Sequence, residues 1–195
     1  MKTVFFDIDT QLDFLYPAGA LYVPGAERIL DAIVQLNQHA ASRGIPVVSS
    51  MDAHAENDPE FREWPPHCVA GTSGQQKPAR TLLEPRFTIP IAPGDYAIEG
   101  ARQIIVEKQQ LDLFTNPNLP RLLERLGADR YVVYGVVTEF CVRCAALGLA
   151  RLGKPVEIVG DAICGLQEAA SRRTIDEVAA AGGRLTGIAE VCGRE

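Results

Sequence analysis

The stretch from Tyr131 to Gly153, YVVYGVVTEFCVRCAALGLARLG, constrains this chain more than any other. It opens on an unbroken apolar run, Tyr131 to Tyr134, with the β-branched content of a strand buried on both faces. Gly135 breaks the run, and a helix-like pattern begins at Cys141 and carries on to Gly153. Strand, tight turn and helix in that order put a cysteine in a first helical turn. There, free N–H groups and the positive end of the helix dipole favour thiolate over thiol. From this stretch alone Cys141 is either a nucleophile, its oxyanion cradled by those N–H groups, or a buried thiol of the ordinary kind.

The rest of the chain supplies the same unit again. Thr3 to Ile8 reads as a first strand ending in acid, with Asp9 to Phe14 as a polar loop after it. Ala26 to Ser42 carries Ile29, Ile33 and Leu36 on one helical face and stops at Gly44. Ile45 to Ser50 and Gln103 to Val106 read as buried strands. Leu119 to Leu126 is a short helix with Pro120 in its first turn. Pro155 to Val159, the helix Gln167 to Ala181 and a weak strand Arg184 to Ile188 close the pattern. Between Met51 and Gly100 seven prolines dissolve any period, so this segment reads as loop with short elements, and long loops in small domains are usually functional. Alternating strands and helices predict a three-layer α/β/α fold around a mostly parallel six-stranded sheet, as one domain over 1–195.

Charge and cysteine use narrow the setting. The formal net charge is −6 and no basic cluster stands out, which argues against nucleic acid and anionic membrane as partners. No apolar run approaches transmembrane length, and Asp7 interrupts the opening strand where a signal peptide would be apolar. Five cysteines, an odd count, suit reduced thiols in a cytoplasm.

In a parallel sheet, ligands sit beyond the carboxyl ends of the strands. Asp9, Lys108 and Cys141 each follow a strand. Asp9 suits a proton carrier and Lys108 a charge that lowers the cysteine pKa; a loop cap and a solvated lysine are the alternatives. Asp52 and His54 point to the same side of an extended segment, since side chains alternate there. With His67 they make an oxygen and two imidazoles, a set suited to zinc, iron or manganese, with Glu60 or Glu63 as a fourth ligand. Exposed loop residues are the alternative reading. Phe14 and Trp64, the only tryptophan, are candidate walls for a flat ring.

These residues resemble the isochorismatase-like cysteine hydrolases, and within them the nicotinamidases. The resemblance runs through Asp9-x-Gln11-x-Asp13-Phe14, the segment Ala20 to Ala26, Asp52-x-His54, and Trp64-Pro65-Pro66-His67-Cys68-Val69-x-Gly71-Thr72. It continues at Lys108 and at Gly135 to Val142. It implies an isochorismatase-like, Rossmann-like fold and hydrolysis of nicotinamide to nicotinate and ammonia through a cysteine thioester, a step of NAD salvage. Pyrazinamide is a second implied substrate and a homo-oligomer the implied assembly. Cys141 is then the nucleophile, Asp9 the general acid/base and Lys108 the third member. The N–H groups of Val137 and Cys141 form the oxyanion hole, beside a cis Val136–Val137 peptide. One divalent metal per chain, zinc first and otherwise iron or manganese, is held by Asp52, His54 and His67 with Glu60. Thr138-Glu139 departs from the Thr-Asp usual before the cysteine turn.

Two rival readings are set beside this one. Another amidase of the superfamily, acting on a carbamoyl or ureido compound, would share the triad and have no need of the metal set. Val4 to Leu12, VFFDIDTQL, also resembles the opening motif of haloacid-dehalogenase-type phosphatases, with Asp7 as nucleophile, Ser49 or Ser50 on phosphate, and Mg²⁺. The later acidic pair of those enzymes is missing, since Gly160-Asp161 runs into AICGL.

Overall fold

A computed structural model describes residues 1–193. In chain order the elements are β1 (Thr3–Ile8), α1 (Leu12–Leu15), α2 (Leu30–Arg43), β2 (Val47–Asp52), β3 (Arg86–Ile89) and β4 (Gln103–Lys108). These are followed by α3 (Leu119–Leu126), β5 (Arg130–Val136), α4 (Arg143–Ala150), β6 (Val156–Cys164), α5 (Glu168–Ala180), β7 (Arg184–Thr186) and α6 (Ile188–Gly193). The strands form one sheet in the order β3-β4-β2-β1-β5-β6-β7, and every pairing is parallel.

Period-two alternation in the strands divides the core between two faces. Val4, Phe6 and Ile8 of β1 face one way, with Leu119, Leu122, Leu123 and Leu126 of α3 and Ala145, Ala146 and Leu149 of α4 packed against that side. Phe5 faces the other way, onto Ile33, Leu36 and Ala40 of α2 and Val191 of α6. The result is helices over both faces of a parallel sheet. In α3 the buried leucines fall at i, i+3, i+4 and i+7, the spacing of one helical face.

The sheet has seven strands, one more than the sequence predicts. The added strand is β3, inside the segment expected to be loop. It is four residues long at the sheet edge, three of them exposed, and Pro85 and Pro90 flank it. A short proline-bounded edge strand carries almost no alternation to read. Gly135 does not break β5, which runs on to Val136. Gly135 takes φ +120, and a Cβ there would lie 2.1 Å from the Ile8 carbonyl oxygen, so only glycine lets β5 pass β1 this closely. Asp9 to Phe14 is not loop throughout, because α1 begins at Leu12. The fifth strand predicted, Pro155–Val159, is β6 and extends to Cys164, across Gly160 and Asp161.

β1 and β5 are neighbours, and the chain leaves β1 in one direction to build β2, β4 and β3 and in the other to build β6 and β7. That reversal opens a crevice at the carboxyl ends of the central strands. No helix among the described residues is long and apolar enough to cross a membrane.

Candidate active site

Four central strands deliver the site. Asp9 follows β1, Asp52 and Lys108 are the last residues of β2 and β4, and Cys141 lies just past β5. Asp52 and Lys108 are register partners. Lys108, 1% exposed, places Nζ 2.9 Å from Asp9 Oδ2 and 3.7 Å from Cys141 Sγ, and donates to Asp52 Oδ1. The ammonium therefore bridges two carboxylates and the thiol. Cys141 does not begin α4. It sits in a wider, π-helical turn, Thr138–Val142, closed by Val142 N–H onto the Val137 carbonyl at 3.2 Å, and α4 starts at Arg143. The Val136–Val137 peptide ahead of it is cis.

Burial reverses the expected effect on the thiol. It pushes Cys141 well above the usual thiol range; Lys108 pulls it down, and Asp9 and Asp52 add to the rise. Burial alone would push the Lys108 ammonium down, but the Asp52 and Asp9 carboxylates outweigh it and hold it well above the usual lysine value. Burial also lifts Asp52 to about 6, against the pull of Lys108. Burial thus favours a thiol over a thiolate at Cys141, with Asp9, Asp52 and the Lys108 ammonium grouped around it.

Asp52, His54 and His67 are all buried, and each offers a ligand atom within 4.8 Å of the others. Backbone pairing explains the convergence. His54 N–H donates to the Cys68 carbonyl at 3.2 Å and Ala70 N–H to the His54 carbonyl at 2.9 Å, which draws His67 alongside. His54 Nδ1 meets Asp58 Oδ2 at 3.0 Å, and His67 Nδ1 meets the Pro65 carbonyl at 2.8 Å. Both contacts hold Nδ1 as the protonated nitrogen and free Nε2 for a ligand. His54 Nε2 is buried with no hydrogen-bond partner among the described residues. An orphaned imidazole nitrogen facing a second imidazole and a carboxylate suits a divalent metal, zinc included. Glu60 is half-buried on the cavity and belongs to an overlapping group with His54 and Asp58; Glu63 is exposed and off the cavity.

The cavity between these groups is small, about 60 Å³, with apolar walls. Phe14 and Trp64 both line it, as do Val137 and Cys141. Phe14 packs on His67 with centroids 5.4 Å apart. Trp64 meets Phe140 edge-on at 5.8 Å, and Leu21, Leu111 and Leu166 complete the lining toward the surface. A narrow apolar slot with carboxylates, imidazole and thiol at its floor admits a small planar molecule.

Several residues that build the site carried no clear signal in the sequence. Gln11 acts as a stitch: its Oε1 accepts from Asp52 N–H at 2.8 Å, and its Nε2 donates to the Asp52 and Gln75 carbonyls, each at 2.9 Å. Asp13 accepts from Cys68 N–H at 2.7 Å and Ala20 N–H at 2.9 Å, anchoring the loop that holds His67. The alternate spacing Asp9-x-Gln11-x-Asp13 was visible, but not that its last two members bind backbone. Asp58, four residues after His54, and Phe140, beside the nucleophile, were missed. So was Lys77, which reaches Asp7 beneath the site; their separation of 70 residues leaves no local pattern.

Asp7 does not reach the cavity. It is fully buried, with Lys77 Nζ at 3.3 Å, Thr10 Oγ1 at 2.6 Å and Ser49 Oγ at 3.0 Å on its carboxylate. A group committed to three internal donors is no phosphatase nucleophile, and that rival reading fails here.

Fold and site together define a three-layer α/β protein with a buried cysteine, lysine and aspartate at the carboxyl edge of its parallel sheet. The family model for the isochorismatase domain matches residues 3–86 and 92–190, so the chain belongs to the isochorismatase family. A nicotinamidase/pyrazinamidase of Mycobacterium tuberculosis is 29% identical over 88% of this chain and 91% of its own. A nicotinamidase of Saccharomyces cerevisiae is 25% identical over 83% and 87%. The crystal structure of a pyrazinamidase of Pyrococcus horikoshii in complex with zinc superposes with a TM-score of 0.82, at 27% identity, covering 96% of this chain and 99% of the other.

Proposed function

We propose that this chain, acting as one hydrolase domain over 1–195, is a nicotinamidase that cleaves nicotinamide to nicotinate and ammonia. The observation that carries the reading is the shared carboxylate: Asp52 faces Lys108 of the Asp9–Cys141 group on one side and the two imidazoles on the other. A carbamoyl amidase needs the first group alone. A ring amide needs both, one for its carboxamide and one for its ring nitrogen. All five cysteines are free thiols, which suits a reducing cytoplasm.

In this reading the ring lies between Phe14 and Trp64 and presents its carboxamide carbon to Cys141. Sγ attacks as Asp9 takes the thiol proton, which removes the need for a resting thiolate. The N–H groups of Val137 and Cys141 receive the developing oxyanion. Lys108 stays protonated and holds its ammonium against Asp9 Oδ2 and Cys141 Sγ. Asp9 then returns the proton to nitrogen and ammonia departs, leaving an acyl-cysteine that water hydrolyses with Asp9 as base. A divalent metal, held by Asp52, His54 and His67 with Glu60 alongside, would supply a Lewis-acidic contact for the ring nitrogen. Ammonia release from nicotinamide by metal-loaded protein tests the proposal. No release, together with hydrolysis of a carbamoyl compound, would replace it with the carbamoyl-amidase reading.

A further inference from the structure

The proton carrier has a partner that the chemistry above leaves unused. Ser50 lies inside β2 and is fully buried. Its hydroxyl meets Asp9 twice: Asp9 N–H donates to Oγ at 3.1 Å, and Oγ donates to Asp9 Oδ1 at 2.6 Å. These contacts fix the sense of the hydroxyl. The amide has no lone pair, so it must occupy an acceptor position on Oγ, and the single hydroxyl hydrogen is directed to Oδ1. The other carboxylate oxygen, Oδ2, faces Lys108, which also contacts Cys141 Sγ. The two oxygens are therefore unlike: Oδ1 meets a neutral hydroxyl, and Oδ2 meets the ammonium that also reaches the thiol. Asp9 itself takes φ +48, a region that non-glycine residues seldom use, and its own N–H is held there by Ser50 Oγ.

We propose that Ser50 is a positioning residue that confines the travelling proton to Oδ2 of Asp9. The proposal rests on Asp9 being the proton carrier. In acylation the Sγ–C bond forms, the carbonyl electron pair moves to oxygen, and the thiol proton goes to Oδ2. On collapse the C–N bond breaks, nitrogen takes the proton from Oδ2, and ammonia leaves. In deacylation the water oxygen bonds to carbon and its proton goes to Oδ2; the C–S bond breaks and Sγ recovers that proton as nicotinic acid is released. A proton on Oδ1 would sit on the Ser50 side and force the hydroxyl hydrogen to turn away, with its lone pair still engaged by Asp9 N–H.

The discriminating measurement is dependence on the leaving group. Ammonia cannot leave without a proton, whereas p-nitrophenolate leaves without one. Ser50→Ala should lower kcat on nicotinamide about 10- to 100-fold with KM little changed, the effect of one hydrogen bond to a charged group. Hydrolysis of p-nitrophenyl nicotinate by the same protein should fall at least about threefold less than that of nicotinamide, because expulsion of p-nitrophenolate needs no general acid and only the base steps at Oδ2 are shared. Ser50→Thr keeps the hydroxyl and should restore the amide-to-ester ratio, even if its methyl slows both reactions. Ser50→Cys fills the same space with a weak donor and should behave like Ser50→Ala, so it serves if the alanine variant does not fold. An unchanged ratio in the Ala or Cys variant, or an equal loss on both substrates, overturns the proposal. Asp9→Asn and Cys141→Ala are assayed alongside. If these remain active on nicotinamide, the reading of the site itself fails; if they are inactive while Ser50→Ala keeps the ratio, only the role of Ser50 fails.

Discussion

Replacing Lys108 by methionine removes one ammonium and little volume, so its effects isolate charge. The lysine is 1% exposed and pairs with Asp9 and Asp52, themselves almost fully buried. Breaking a buried ion pair by removing one partner costs about 3–5 kcal/mol, because the remaining charge is left uncompensated. Here two carboxylates lose the same cation. For a chain of this length each kcal/mol lowers the melting temperature by about 2–4 °C, so the expected fall is about 6–20 °C. The thiol should respond as well. Lys108 is the one nearby group that draws the Cys141 proton off, while burial, Asp9 and Asp52 all hold it on. The iodoacetamide rate at Cys141 should therefore drop along with nicotinamide turnover. Thermal unfolding and mass-resolved alkylation of one preparation measure both. A melting temperature within about 1 °C of the unsubstituted protein, with an unchanged alkylation rate, would refute the charge argument.

Other outcomes follow from the same geometry. Chelation should raise KM for nicotinamide about tenfold or more and leave alkylation of Cys141 unchanged; equal losses in both would mean that the imidazole group supports the thiol and not the substrate. Pyrazinamide should be hydrolysed comparably to nicotinamide, and benzamide about 10- to 100-fold less efficiently, because it lacks the ring nitrogen; equal kcat/KM for all three would remove His54 and His67 from recognition. Stability should fall in alkali. Burial holds the Cys141 and Cys68 thiols and the Tyr134 hydroxyl above their ordinary values, so the folded chain keeps protons that the unfolded chain releases. The contribution of the two thiols is complete below pH about 8.5 and that of Tyr134 below about 10; above its own threshold each is lost by about 1.4 kcal/mol per pH unit, and a melting temperature flat up to pH about 10 would contradict this. Gly135→Ala should cost about 3 kcal/mol or more, since its Cβ would strike the Ile8 carbonyl at positive φ; a denaturation midpoint near that of the unsubstituted chain would show that β5 can shift.

The sequence is most legible where one residue's neighbours in the chain are also its neighbours in space. The α3 leucines and the short apolar run of β1 satisfy that condition, and both elements begin and end where the pattern says. It fails for β3, whose stability comes from pairing with β4 and not from its own four residues. Site residues divide in the same way. Cys141, Asp9 and Lys108 were found because strand ends share one edge of a parallel sheet, and Asp52 with His54 because extended chain alternates. The coincidence of the two readings was not legible: VTEFC offered a buried thiol or a reactive one, and the structure gives a thiol only 6% exposed that also touches Lys108. Nor did any local pattern tie Asp58 to an imidazole or Lys77 to Asp7, for those partners are fixed by how the loop after β2 folds back.

Gln11 and Asp13 also decide which parts of the molecule can change independently. From Asp9 to Asp13, every second side chain is bound to something distant, so a one-residue insertion there would unfasten the proton carrier, the Asp52 backbone and the His67 loop in a single event. Leu21, Leu111 and Leu166 stand at the cavity mouth on three separate segments, and their apolar side chains hold none of those fastenings. Laboratory selection for bulkier ring amides should therefore accumulate its changes at these three leucines, while lengths between Asp9 and Asp13 stay fixed.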